Sequence, residues 1–349
     1  MHSDVRRLVG LGLPGYVVET VTTLGAGLDN AAYEVNRELV VRVAREPGVV
    51  RREAELLEWV GKVSTLPVPQ PVFVLPEDGC LAYRKLDGTP LIDLPPDIRS
   101  QCAVRVAAEL GGLLAVLHAQ DVEQLADLVD IDDEPLDAWR DEAAESYTAV
   151  ASELTPDTQR AVEAFLQSPL PAPPPRLVYS HNDLGIEHVL VNASTYDVSG
   201  VIDWTDAAIC DPARDLGLIL RDLGPAAYNE ATNRLSAAYA TASQLPADPT
   251  ADRPSTDAAA PRSSADAAAG RFPADAAVSR LPADATANRL AGYAAVSRLP
   301  VDEGLLDRAW FYARCSLLED LQYGLGADRP TYVEKSRLAA DWLFTYPTP

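Results

Sequence analysis

Residues Tyr179–Asn192 read YSHNDLGIEHVLVN. This stretch holds two of the chain's four histidines, with Asp183 two residues after His181 and His188 five residues after Asp183. The apolar runs on either side, RLVYS and VLV, have the length and β-branched content of short strands. The motif therefore reads as a loop between strands, with a carboxylate and an imidazole presented from a fixed backbone. Just downstream, VSGVIDW reads as a buried strand that ends in Asp203 and delivers a second carboxylate.

Working outward, residues 16–45 alternate apolar and polar positions around turn signals, which predicts antiparallel strands over Val17–Leu24, Ala31–Val35 and Leu39–Ala44. VVRREAELLEWVG has apolar residues at helical spacing and closes on Gly61. VPQPVFVLPEDGCLAYRKLDGTPL adds two strands. The pattern changes at Asp97, where Ala103, Val106, Leu110, Leu113, Leu114 and Leu117 form one stripe of a core helix. Further helices are expected over Leu136–Val150, 213–243 and 303–345. The expected organisation is an N-lobe over residues 1–95, a C-lobe core over 96–243 and terminal C-lobe helices over 303–349.

Residues 244–302 differ from the rest. Arginine recurs at 253, 262, 271, 280, 289 and 298, and aspartate keeps the same nine-residue period through most copies. The repeat lacks β-branched stacking residues and Gly-Gly-x-Gly calcium sequences, and most copies carry proline. Having little apolar surface to bury, it reads as a flexible insertion whose removal leaves the fold intact.

Composition narrows the partners. The formal charge of −23 argues against nucleic acid, whose phosphates would be repelled, and favours a cationic small molecule. Only three lysines occur, Lys62, Lys85 and Lys335. No apolar run of membrane-spanning length is evident and the N-terminus has no signal-peptide core, so a cytoplasmic protein without a membrane partner is expected. The four cysteines lack metal-ligand spacing.

Phosphoryl transfer from a nucleotide needs oxygen ligands for magnesium, a carboxylate to orient the attacking hydroxyl, and a cation on the triphosphate. The chain offers these in order: Asp183 for the hydroxyl, Asp203 for the metal, and Arg42 on the third strand paired with Glu53 on the following helix. Glu55 and Glu58 lie on the same helix and are rival partners for Arg42, which also reads as a plain surface cation. Gly25 and Gly27 read either as a phosphate-contacting loop or as hairpin glycines.

HNDLGIEHVLV followed by VIDWTDAAICDPARDLG resembles the aminoglycoside phosphotransferase family, part of a wider group with choline kinases and protein kinases. LGAGLDNAAYEV, VVRV, RREAELLEWV and AVLHA extend the resemblance over nearly the whole chain except the insertion. The resemblance implies an α+β, protein kinase-like two-lobed fold, with a small antiparallel-sheet N-lobe and a mostly helical C-lobe. It implies a small-molecule kinase using ATP or GTP with Mg2+. Asp183 would be the catalytic base, Asp203 a metal ligand, Glu53 the partner of the N-lobe cation, and Tyr83–Leu86, including Lys85, the segment that meets the base. His181 would brace the loop, while Asp211 and Asp215 would organise the C-lobe.

Two positions depart from the family pattern. Arg42 stands where lysine is usual, and Arg keeps its charge and grips phosphate bidentately. His188 stands where asparagine is usual, as macrolide phosphotransferases resemble this chain in having. Imidazole nitrogen suits softer ions, so His188 either binds a second metal, with Mn2+ tolerated, or reaches phosphate or water while Asp203 holds the ion. The expected acceptor is a hydroxylated small molecule of aminoglycoside or macrolide type; a choline-like amine or sugar, or a nucleotide-binding pseudokinase acting as an interaction module, are the rival readings. Protein kinase activity is not expected, because no activation segment ending in Ala-Pro-Glu follows Asp203.

Overall fold

A computed structural model describes residues 2–26, 30–45, 49–244 and 302–345. The chain divides into two units. One comprises Met1–Ala238 with Pro300–Pro349 and carries the site described below; the other is Tyr239–Leu299. Of the nonapeptide repeat, residues 245–301 lie outside the described residues.

The N-terminal region is a five-stranded antiparallel sheet in the order β1-β2-β3-β5-β4. Its strands are β1 (Val21–Ala26), β2 (Asn30–Val35), β3 (Leu39–Ala44), β4 (Pro71–Leu75) and β5 (Cys80–Arg84). Asn36 and Arg37, at φ 53° and 61°, make the left-handed turn between β2 and β3. The Asn36 amide oxygen takes the N–H groups of Glu19 and Thr20, holding that segment as a loop. The first strand consequently begins at Val21 and not at the expected Val17.

Alternation along β3 decides what each face of the sheet meets. Leu39 and Val41 pack against Val5, Leu8 and Val9 of α1 (His2–Gly12), a helix that the sequence reading did not anticipate. Arg42 therefore projects from the opposite face, toward α2 (Val49–Val63), which continues past Gly61.

The remainder is mostly helical. α3 (Pro96–His118) buries the expected stripe: Val106, Leu113, Leu114 and Leu117 are fully inaccessible. Its length and hydropathy match those of a membrane span, which corrects the expectation that no segment has them, but much of it is buried against the protein. α4 (Leu136–Val150) has the expected bounds, and α5 (Pro156–Leu166) is additional. Gly224, at φ 84°, divides α6 (Ala213–Leu223) from α7 (Pro225–Gln244). α8 (Leu305–Gly326) and α9 (Pro330–Thr345) complete the core.

Two small sheets frame the loop that begins at His181. One has the order β10-β9-β6, from β6 (Thr89–Pro90), β9 (Val189–Val191) and β10 (Val198–Val201). The other has the order β7-β11-β8, from β7 (Asp130–Ile131), β8 (Val178–Ser180) and β11 (Ala208–Cys210). All four cysteines are buried and free.

Candidate active site

The loop between β8 and β9 carries Asp183 and His188, and its shape is set by side chains that satisfy its backbone. His181, fully buried, has Nε2 at 3.0 Å from the Ile202 carbonyl, while its Nδ1 accepts the Asp183 N–H at 3.3 Å. The two contacts specify the Nε2–H tautomer. His188 Nδ1 lies 2.9 Å from the Asp183 carbonyl oxygen and 3.3 Å from its carboxylate. Its other nitrogen faces Asp203, 3.8 Å from Oδ2.

Asp203 is not the end of a strand, as the sequence suggested. β10 stops at Val201, and Asp203 follows in a left-handed conformation at φ 60°, which turns its carboxylate back toward the loop. Thr205 Oγ1 donates to Asp203 Oδ1 at 2.7 Å. Next to it, the buried Trp204 indole packs on His181 with ring centroids 4.6 Å apart and donates to the Val201 carbonyl.

The N-terminal sheet closes the cluster. Arg42 Nη1 contacts Glu53 Oε1 at 2.6 Å and stands 3.5 Å from Asp203 Oδ1. Glu53 is thus the partner of Arg42, while Glu55 and Glu58 are exposed. Tyr83 lies near enough for Arg42 and Asp203 to bear on its phenol, which burial pushes up to about 12. Lys85 is not brought into the cluster: its ammonium pairs with Glu34 and its backbone N–H donates to Glu38. Gly25 sits beside a bulge in β1 with open space around it, and Gly27 lies outside the described residues.

Beneath the loop, α6 supplies the acceptors. Asp215 takes the N–H groups of Asn182 and Leu184, each at 3.1 Å, and the Ser180 hydroxyl at 2.6 Å. Asp222 takes the Ile186 N–H at 3.1 Å. Arg221 grips Asp222 through two nitrogens at 2.7 and 2.9 Å and reaches Asp320 of α8 at 2.9 Å. Lys335 of α9 bonds the Glu187 carboxylate at 2.7 Å and forms an ion pair with Asp320 at 2.9 Å. Asp211 pairs with Arg308 at 2.6 Å and caps Ala213, joining α6 to α8. Sequence reasoning missed Glu187, Arg221, Asp222 and Lys335. The seven-residue spacing of Asp215 and Asp222 on a helix was the available signal, since it places both on one face.

The electrostatics divide the carboxylates. Burial in the cleft pushes the Asp183 carboxyl up to about 7, with the His188 cation opposing the rise and Glu187 and Asp206 adding to it. For His188, burial disfavours the imidazolium, but Asp183, Glu187 and Asp203 outweigh it and raise the ring above the ordinary histidine value. Asp203 goes the other way. Burial would raise it, yet Arg42 and His188 bring it below the ordinary aspartate value. One carboxylate thus takes up a proton near neutrality and the other stays ionised.

The donor chemistry at Asp203 suits a hard cation through its carboxylate oxygens, whose neighbours are the Thr205 hydroxyl, the His188 imidazole and, at 3.5 Å, the Arg42 guanidinium. Among the described residues no group of three His, Cys, Asp or Glu side chains forms a closed metal cage. An ion here would take its remaining ligands from phosphate and water, as magnesium does at nucleotide sites.

Comparison with known proteins identifies the family and the fold. The family model described as the phosphotransferase enzyme family matches residues 20–255, more than half of the chain. A search of curated proteins returned no match. Among solved structures, APH(2")-IIia in complex with GDP and kanamycin is 18% identical with a TM-score of 0.56, covering 97% of each chain. Macrolide 2'-phosphotransferase type I is 20% identical with a TM-score of 0.53, again covering 97% of each. Macrolide 2'-phosphotransferase MphH from Brachybacterium faecium, as the apoenzyme, is 21% identical with a TM-score of 0.53 over 99% of each chain. At these identities the likeness establishes the kinase-like fold.

Proposed function

Because the chain belongs to the phosphotransferase enzyme family, we propose that it moves the γ-phosphate of ATP or GTP to a hydroxyl of a small-molecule antibiotic, of aminoglycoside or macrolide type. The observation that carries this reading is the convergence of Asp183, His188 and Asp203 with the Arg42–Glu53 pair within contact distances of 2.6–3.8 Å. Solved structures of the same fold support the acceptor class, since one is a kanamycin complex and others are macrolide phosphotransferases; the GDP in the former makes GTP a donor to be tested beside ATP.

Asp183 orients the acceptor hydroxyl and accepts its proton as the oxygen bonds to phosphorus and the nucleoside diphosphate leaves. A carboxyl raised to about 7 suits that role at neutral pH. Arg42, held by Glu53, steadies the phosphates with a permanent charge. Asp203 is the carboxylate that would hold Mg2+, which when bound neutralises charge developing on the phosphate oxygens. His188 holds the Asp183 backbone by its Nδ1 contact and presents Nε2 toward Asp203. On this reading His188 would set the ratio of Mn2+- to Mg2+-supported turnover, by meeting the metal or by reaching phosphate or water while Asp203 holds the ion. The strongly acidic chain attracts polycationic acceptors at low salt.

Phosphate transfer assayed across aminoglycosides, macrolides, choline and sugars, with ATP and GTP, tests the proposal. Transfer to at least one antibiotic, abolished in Asp183→Ala, is the expected result. Transfer to choline or a sugar alone would retain the chemistry and replace the acceptor. Nucleotide binding without transfer to any acceptor, or transfer that survives Asp183→Ala, would refute it.

A further inference from the structure

Five ionisable side chains meet beneath the catalytic loop: Glu187 in the loop, Arg221 and Asp222 on α6, Asp320 on α8 and Lys335 on α9. Side-chain exposures run from 1% for Asp222 and 2% for Lys335 to 15% for Asp320. Such a cluster is not an obvious source of stability. Removing charges from water is costly, and apolar replacements of buried ion pairs are often as stable. What the arrangement does accomplish is geometric.

Lys335 is one of only three lysines in the chain and is 3% exposed. Its ammonium bonds both Glu187 carboxylate oxygens, at 3.0 and 2.7 Å, so the side chain of Glu187 is held from below at two points. Glu187 is folded back over its own loop: a Cβ on Gly185 would stand 2.7 Å from the Glu187 carboxyl carbon. The residue preceding Glu187 has its N–H on Asp222, and the residue following it is His188. The same ammonium stands 3.6 Å from Asp222 and 2.9 Å from Asp320, tying the two anchoring helices to the one loop residue. The Tyr332 ring covers it, with Nζ 4.7 Å from the centroid.

We propose that Lys335 is a positioning residue for phosphoryl transfer, holding Glu187 so that the loop presents His188 and the Asp183 carboxylate in register with Asp203. This rests on the phosphotransfer reading above. Lys335 touches no reacting atom in this scheme. It acts through Glu187, and a shift of about 1 Å at the loop is enough to cost on the order of a hundredfold in rate. The nucleotide grip of Arg42 and Glu53 lies on other elements and is untouched.

The test measures turnover with Mg2+-ATP and Mg2+-GTP, in hydrolysis and with any acceptor found, for wild type, Lys335→Met, Lys335→Arg and the double variant Glu187→Gln/Lys335→Met. The expected result is a kcat at least about tenfold lower in Lys335→Met with nucleotide KM within about threefold of wild type. Lys335→Arg regains part of the loss, and the double variant is no slower than Lys335→Met, as a shared route requires. Amide exchange at Ile186–His188 rises in Lys335→Met while β8 and β9 stay protected. Wild-type kcat in Lys335→Met, or a parallel fall in kcat and nucleotide affinity, overturns the inference and leaves the family reading standing. Where Lys335→Met does not fold, the double variant, which removes one charge of each sign, is read in its place; failure of both marks a purely structural residue and also overturns it. A wild-type protein with no turnover under any condition sinks the phosphotransfer reading itself, and this inference with it.

Discussion

Asp215 and Asp222 stand seven residues apart on α6, and between them they accept the N–H groups of Asn182, Leu184 and Ile186. Alternate amides of the loop that carries Asp183 are thus fixed to carboxylates two helical turns apart on one helix. Asp183 lies between two anchored amides, which fixes its backbone while its carboxylate stays partly open to the cleft.

Asp222→Asn is expected to destabilise the protein by about 2–3 kcal/mol at neutral pH, because charge-assisted hydrogen bonds from Arg221 and the Ile186 amide are weakened in a buried site. Substituting Asp157, which pairs with Arg160 at the surface with 87% of its side chain exposed, should leave stability unchanged within error. Urea unfolding at fixed pH measures both. Equal effects from the two substitutions would contradict the argument.

The same carboxylate predicts an acid transition. Burial would raise Asp222, but Arg221 and Lys335 hold it down to about 2, against 3.8 for an ordinary aspartate. A depressed folded pKa contributes stability that is present above the unfolded value and lost as pH falls through the folded one. Wild type and Asp222→Asn should therefore converge in stability as pH falls from about 4 toward 2. Parallel curves across that window would show that Asp222 is not the group responsible.

Much of this was legible in the sequence, and the parts that were not share a cause. Asp183, Asp203 and the Arg42–Glu53 pair were readable because residue type and spacing stay within one motif or one pair of consecutive elements. The stripe on α3 was readable because its period is local. Lys335 was not, because its partners lie 15 to 148 residues away and no local pattern marks a buried lysine. The end of β10 was misjudged because VIDW continues the apolar alternation, while the left-handed turn at Asp203 is imposed by contacts made elsewhere. α1 was missed since HSDVRRLVGLG shows its apolar stripe only once the sheet face it covers is known.

Neighbouring glycines in α3 give a sharp contrast. A methyl group on Gly111 would stand 2.5 Å from the Ala231 carbonyl oxygen and 2.7 Å from its Cα, so α3 and α7 approach closely there. Nothing lies within 4 Å of the corresponding point on Gly112. Gly111→Ala should cost about 1–3 kcal/mol or more, through overpacking against backbone that cannot rotate away. Gly112→Ala should stabilise by roughly 0.5–1 kcal/mol, through helix propensity and a less flexible unfolded chain. Thermal or chemical denaturation reads both signs, and like signs would refute the contact.

His188 should set the acid limb of the pH–rate profile. On the proposed role of Asp183 as proton acceptor, turnover needs its carboxylate ionised; burial raises that carboxyl to about 7, and the neighbouring imidazolium lowers it from where burial alone would leave it. His188→Asn removes the lowering cation, so the acid limb of kcat moves to higher pH, by about one unit. A limb that stays put or moves down would show that Asp183 is not the group titrating.

The Arg42–Glu53 pair supplies a last test, because the sequence left three glutamates as candidates. Arg42 and Glu53 side chains are each 9% exposed and 2.6 Å apart, while Asp203 stands 3.5 Å from the same guanidinium nitrogen. Glu53→Ala strips Arg42 of its close partner in a buried setting, at a cost of about 3 kcal/mol. It also leaves Asp203 as the nearest counter-charge, so the guanidinium leans toward the carboxylate that should be meeting the nucleotide complex. Nucleotide KM is expected to rise about tenfold, the free-energy equivalent of one lost charge-assisted contact. Glu55→Ala and Glu58→Ala, at exposed positions on the same helix, should change neither quantity. Nucleotide titration and urea unfolding of the three variants decide it, and a comparable loss in Glu55→Ala or Glu58→Ala would move the partner of Arg42 by one turn.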